Sequence, residues 1–131
     1  MIKEIKYKAT EYTKKILIKH DYIGIISVEF FIDKEQNLLA NETASRVHNS
    51  GHITINTSNS SQFDQHIRAV CNLNFVKLEK MKRGKMINIL GRDILEYRKK
   101  NFSHNEFFFD YQKKEARSKR KMGHINIVDN V

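Results

Sequence analysis

Between Glu29 and His52 the chain reads EFFIDKEQNLLANETASRVHNSGH. Two carboxylates, Glu29 and Glu42, flank an apolar stretch, and Arg46, His48, Asn49, Ser50 and His52 follow within a few positions. Paired carboxylate oxygens suit Mg²⁺, which takes one or two carboxylates together with phosphate oxygens and water. Arginine and histidine beside such a pair can bind an anion or stabilise a charged transition state. His48 and His52 stand four apart, but in a Ser- and Gly-containing stretch without an HExxH pattern, so a zinc site is not read here.

The pairing of the two carboxylates depends on a hairpin. Residues 22–33 (YIGIISVEFFID) are β-branched, aromatic and almost continuously apolar, which predicts a strand buried on both faces. Asp33–Gln36 is a polar turn, and Asn37–Glu42 reads as the returning strand. A loop over 34–37 sets Asp33 opposite Leu38, Phe30 opposite Asn41 and Glu29 opposite Glu42. Directly opposed residues share a face, with Cβ atoms roughly 4.5–5.5 Å apart, and like charges placed so destabilise the pair. A shared proton, a Lys or Arg, or a divalent cation must offset that repulsion. The sharper expectation is a Mg²⁺–nucleotide site at Glu29 and Glu42; the plainer one is a surface pair at the end of a hairpin.

Other elements frame this hairpin. Ile5, Ala9, Tyr12 and Ile16 fall on one face of a helix over 2–19, with most lysines elsewhere. Residues 43–60 have no clear period and are rich in Ser, Thr, Asn and Gly, which reads as a long loop, and long ordered loops are usually functional. Ser61 with Asp64 resembles a capping box opening a helix to about Leu73, with Phe63, Ile67 and Val70 on its inner face. A basic connector over 76–83 is the natural boundary, giving regions 1–76 and 77–131. Beyond it the pattern predicts strands at Lys85–Gly91, Glu106–Tyr111 and Gly123–Val128, with helical turns at Asp93–Lys100. The fold class is α+β.

Composition limits the function classes. The chain has 131 residues, 40% of them apolar, enough for a packed core. No apolar run approaches the roughly 20 residues that cross a bilayer, and Met1–Lys6 has no signal core, so a cytoplasmic protein without membrane partners is expected. The single cysteine, Cys71, excludes an internal disulfide framework. A formal charge of +9 attracts anions, whether a nucleotide, a phosphorylated metabolite or nucleic acid. The basic run Lys113, Lys114, Arg117, Lys119, Arg120 and Lys121 can be a solvated face, a nucleic-acid patch or a phosphate grip. Neither a Gly-rich phosphate loop nor an RNA-binding signature accompanies it.

Four segments carry a family resemblance: Val28–Phe31, Asn41–His52 (NETASRVHNSGH), Ser61–Ala69 (SQFDQHIRA) and Arg120–Asn126 (RKMGHIN). In order and spacing they resemble the C-terminal part of the 5-(carboxyamino)imidazole ribonucleotide synthases, ATP-grasp ligases of purine biosynthesis. The RVHNSGH segment is the specific part; a Glu…Asn-Glu pair is shared by ATP-grasp enzymes at large. The resemblance implies the end of an ATP-grasp domain (helix, hairpin, loop, helix) followed by a small β-rich subdomain. It implies a reaction of ATP, bicarbonate and 5-aminoimidazole ribonucleotide, through carboxyphosphate, to ADP, phosphate and the N-carboxylated ribonucleotide. Glu29 and Glu42 then match metal-binding carboxylates, and Asn41 and Glu42 an ATP-contacting pair. Arg46 and His48 match residues near the bicarbonate or carboxyphosphate. Asn49, Ser50, Lys114, Arg117, Arg120 and Lys121 lie where the family binds the ribonucleotide and its phosphate.

The match has departures. Ser45 stands where the family usually has proline, Thr43 where it has an apolar residue, and Ser118-Lys119 where Pro-Gly is common. The family's nucleotide-fold domain and most of its ATP-grasp module have no counterpart in this chain. A separately encoded N-terminal chain is therefore an expected partner, and the complete enzyme is expected to be a dimer. Two alternatives stand beside it: a remnant inactive alone, and a small basic nucleic-acid-binding module.

Overall fold

The computed structural model describes residues 2–129. Helix α1 spans Ile2–Lys19. Ile5, Ala9, Ile16 and Leu17 are half-buried on it, and Glu4–Lys8 (3.0 Å) and Glu11–Lys14 (2.8 Å) pair along its exposed side. Tyr12 is more exposed than its place on the apolar face predicts, at 42%. The helix stops without glycine or proline. Asp21 takes a left-handed conformation (φ 45°), the Tyr22 N–H donates to the Leu17 carbonyl, and the Asp21 N–H donates to that of Ile18. These are the two crossed bonds of a Schellman termination.

Strands β1 (Ser27–Ile32) and β2 (Leu38–Ala44) form a two-stranded antiparallel sheet. The turn is one residue longer than expected. Ile32 opposes Leu38, not Leu39, and Asp33–Asn37 closes through the Asp33 carboxylate, which accepts the Asn37 backbone N–H (2.7 Å) and side-chain amide (2.9 Å). Phe30 consequently opposes Ala40. The register then shifts at Asn41, an extra residue on β2, and Glu29 opposes Glu42 as expected. Two departures from the simplest pairing thus cancel.

The expectation of a strand buried on both faces is corrected. Tyr22–Ile26 is not strand, and only the Val28–Phe30 face of β1 is covered, by α1, with the Tyr12 and Phe30 rings 6.4 Å apart. The other face is open, leaving Phe31 61% and Leu39 53% exposed. A sheet of two strands has no further layer to bury that face.

Residues 43–60 are not one loop. Asn49–Ile53 forms a 3₁₀ turn and Thr54–Thr57 a short helix, α2, held by backbone and hydroxyl bonds that leave no apolar period to read. Helix α3 spans Gln62–Val70 and ends like α1, with Asn72 at φ 52° and the Leu73 N–H donating to the Arg68 carbonyl (2.8 Å). Its predicted inner face is reversed: Phe63, Ile67 and Val70 are exposed, while Gln62 and Gln65 are buried. Those glutamines are buried because their amides bond backbone groups of other segments, as Gln65 does with the Val76 carbonyl (2.7 Å).

After the irregular connector come β3 (Gly84–Leu90), a 3₁₀ turn at Gly91–Asp93, α4 (Ile94–Tyr97), β4 (Glu106–Asp110) and β5 (Lys121–Val128). The three strands make an antiparallel sheet in the order β3-β5-β4. Central β5 is buried at Met122–Asn126 and Val128, and Ile89, Ile94 and Met122 form a core that Tyr97, Phe108 and Ala116 border.

The residues group into two compact units. One runs through Asn49 and resumes over Gln62–Val76; the other takes Ser50–Ser61 and the chain from Lys77. Ser50–Ser61 thus leaves the 1–76 span to join the second unit. Asn126 Nδ2 donates to the His52 carbonyl (3.0 Å) and to Asn56 Oδ1 (2.7 Å), and the Lys82 N–H donates to the Thr57 carbonyl (2.8 Å).

Gly123 permits the close approach of β5 to β4, because a Cβ there would run into the Phe109 carbonyl oxygen. Gly123→Ala should therefore destabilise the second unit by about 1–3 kcal/mol, read as a lower urea midpoint in its unfolding transition.

Candidate functional site

The first unit assembles the carboxylate site. Opposed residues on β1 and β2 share a face, so Glu29 and Glu42 stand side by side on the open face, with Phe31 and Leu39, and opposite α1. Glu29 is 47% exposed at its side chain, and Glu42 forms no ion pair among the described residues. Among the described residues no group of three or more His, Cys, Asp or Glu is placed to hold a metal ion by itself. The donor set is therefore two adjacent, accessible carboxylates with room for other oxygen ligands. It fits Mg²⁺, which dehydrates reluctantly and keeps waters and phosphate oxygens, and not a closed all-protein cage.

His48 belongs to the same group. Its Nε2 lies 3.6 Å from Glu29 Oε1, and its side chain is 13% exposed. What holds it there is a residue fourteen positions further along the chain. Gln62, at the start of α3, accepts the His48 N–H at Oε1 (3.0 Å) and donates from Nε2 to the His48 carbonyl (2.8 Å). Gln62, to which residue type and spacing assign no role, is thus a partner of the site. Asn41 is the bulged residue next to Glu42. Arg46 is exposed, with Nη1 donating to the Val47 carbonyl (3.0 Å). Asn49 opens the 3₁₀ turn.

The remaining expected residues lie in the second unit. Ser50 follows Asn49 in the turn, and Lys114, Arg117 and Arg120 line the irregular segment between β4 and β5. Arg117 pairs with Glu115 (2.6 Å), the Gly91 N–H donates to the Arg120 carbonyl (2.9 Å), and Lys113 Nζ donates to the carbonyl of Lys121, the first residue of β5. This segment is thus tied down through its backbone, while the Lys114, Arg120 and Lys121 side chains remain exposed.

The second unit also holds a buried polar cluster that the sequence did not single out. His124, 2% exposed, shares a hydrogen bond with Tyr111 (Oη to Nδ1, 2.9 Å), stacks on Phe109 (4.6 Å between centroids) and lies 5.1 Å from the His52 ring. His124 and Asn126 project from the same side of β5, and the His52–Asn56 segment is what bonds Asn126 there.

Comparison with known proteins places these features in a family. The ATP-grasp domain profile matches residues 1–63, and the profile of the phosphoribosylaminoimidazole carboxylase C-terminal domain matches residues 85–131. The N5-carboxyaminoimidazole ribonucleotide synthase of Staphylococcus haemolyticus is 43% identical over 125 residues, 94% of this chain and 33% of the relative. The chain is similar to the C-terminal portion of these synthases. The structure of the Staphylococcus aureus N5-carboxyaminoimidazole synthetase superposes with a TM-score of 0.85 at 38% identity, covering 96% of this chain and 35% of that one. The Aspergillus clavatus synthase, solved with ADP and 5-aminoimidazole ribonucleotide, gives 0.86 at 33% identity, covering 100% and 37%. This chain spans about a third of the length of such synthases. The nucleic-acid alternative is not favoured, since the resemblance runs along nearly the whole chain. Among the described residues no helix is long and apolar enough to cross a membrane.

Burial, with a smaller contribution from neighbouring His52, depresses the His124 pKa from 6.5 to about 4. The folded chain therefore resists a proton that the unfolded chain accepts below pH 6.5. Stability is unaffected by this group above that pH, falls as pH drops from 6.5 towards 4, and levels off below, for a total of roughly 3 kcal/mol. Unfolding midpoints measured from pH 7 to 4 should show this decline, and His124→Phe should lack that share of it.

Proposed function

We propose that this chain is a C-terminal fragment or subunit of an ATP-dependent carboxylating ligase. The reaction converts 5-aminoimidazole ribonucleotide, bicarbonate and ATP to 5-(carboxyamino)imidazole ribonucleotide, ADP and phosphate, in de novo purine biosynthesis. The observation that carries this reading is the opposition of Glu29 and Glu42 on an open sheet face, with His48 3.6 Å from Glu29. The ADP and 5-aminoimidazole ribonucleotide named for the Aspergillus relative support the substrate classes.

Each residue has a role in this reading. Glu29 and Glu42 hold Mg²⁺, and Asn41, displaced by the bulge, contacts ATP beside Glu42. When bound, Mg²⁺ neutralises charge on the phosphate oxygens. Arg46 and His48 hold the bicarbonate-derived anion: Arg46 supplies a permanent positive charge, and His48 a ring whose backbone cannot drift. Asn49, Ser50, Lys114, Arg117, Arg120 and Lys121 take the ribonucleotide and its phosphate. The lysine and arginine side chains do so from a backbone-anchored segment, so little ordering is left for binding. The adenine pocket and the remaining phosphate ligands come from the part of the synthase that this chain does not span, and the chain is inactive without it. The complete enzyme is a dimer.

Co-expression with the N-terminal two-thirds of the Staphylococcus haemolyticus synthase should yield consumption of 5-aminoimidazole ribonucleotide that depends on both ATP and bicarbonate. Glu42→Gln should lower that rate by roughly 100-fold or more while leaving the chain folded by circular dichroism. No turnover from either the pair or a covalent fusion of the two pieces would sink the ligase reading and leave an inactive remnant.

A further inference from the structure

Gln62 is a buried polar residue, 8% exposed, at the head of a helix whose apolar residues point outward. Its two bonds to His48 satisfy both backbone polar groups of one residue, as a neighbouring strand would. Such a two-point hold fixes the peptide plane and the direction in which the side chain leaves it. Helix α3 is anchored in turn. The Ile25 N–H donates to His66 Nδ1 (3.1 Å), and Gly24 makes room for that ring, with φ +136° and any Cβ only 2.9 Å from it. A closed circuit results: the lead into β1 is tied to His66, α3 carries the constraint to Gln62, Gln62 grips His48, and the His48 ring returns to β1 at Glu29.

We propose that Gln62 is a positioning residue for the carboxylation, acting through His48 by holding its imidazole at the carboxylate face of the hairpin. This rests on the ligase reading above. Two bonds of Gln62 reach the His48 backbone, and an effect on rate that passes through them must disappear once the His48 ring is gone. A glutamine that served stability alone would matter equally whether or not His48 kept its ring.

The test uses Gln62→Met, which preserves length and volume but makes neither bond, in this chain paired with the N-terminal part of the synthase. Expected is a fall in kcat of roughly ten- to a hundred-fold with KM for ATP little changed, and no further fall when the same change is added to His48→Ala. Losses that multiply in the double variant, or a Gln62→Met enzyme as fast as wild type, overturn the proposal. Should Met prevent folding, Gln62→Glu keeps the acceptor and loses only the donor; its smaller kcat loss must likewise vanish beside His48→Ala. Amide hydrogen exchange on this chain alone needs no activity. Faster exchange at His48 in Gln62→Met, with α1 and the hairpin still protected, supports the clamp, and unchanged exchange overturns it. An inactive wild-type pair would count against the ligase reading while the exchange result still judged Gln62.

Discussion

In an antiparallel pair, residues two apart on one strand normally share a face, so Ala40 and Glu42 would point the same way on an unbroken β2. They do not, because Asn41 is an added residue: Ala40 opposes Phe30, Glu42 opposes Glu29, and Phe30 and Glu29 face opposite sides of β1. The bulge therefore lets β2 keep its small Ala40 on the α1 side while turning Glu42 outward to join Glu29. Without it, Ala40 and Glu42 would share a face, and the pairings of Phe30 with Ala40 and of Glu29 with Glu42 could not both hold. A β-bulge beside reactive groups re-aims a side chain at the cost of a ladder bond. Here it sets two carboxylates side by side on one face of the first unit.

The second unit meets a related constraint by other means. Its central strand carries His124 and Asn126 where an aliphatic pair would pack more simply. Asn126 spends its amide donor on the His52 carbonyl and the Asn56 side-chain oxygen, and His124 shares a hydrogen bond with Tyr111. Buried polar groups held this way order the segments they touch, and they leave the unit exposed to acid because burial keeps His124 neutral.

Much of this was readable from residue types and spacing. Helix α1 was bounded correctly from its apolar face, and the strands beyond residue 84 were placed to within a few residues. The opposition of Glu29 and Glu42 was also expected, though through a four-residue turn and an unbroken ladder; the real path uses a longer turn and a bulge, two local features that hydrophobic alternation cannot reveal. Burial was read least well. A strand of nearly continuous apolar residues and the Phe63–Ile67–Val70 stripe signalled an interior, yet both lie largely open among the described residues. Periodicity reports which face prefers to be covered, not whether this chain supplies the cover. The grip of Gln62 on His48 was invisible for a different reason: amide-to-backbone bonds between residues far apart in sequence leave no pattern in either segment.

The interleaving of the two units has a practical meaning for anyone wishing to divide this protein. The chain enters the second unit at Ser50, leaves it at Ser61 and returns at Lys77. A single cut in the basic connector, where the composition invites one, would strip His52 and Asn56 from the strand they cover and expose the buried Asn126 amide. Neither product would be a whole folding unit. Fusions and exchanges made with this chain must therefore carry Ser50–Ser61 together with everything from Lys77 onward, although Gln62–Val76 of the first unit lies between them.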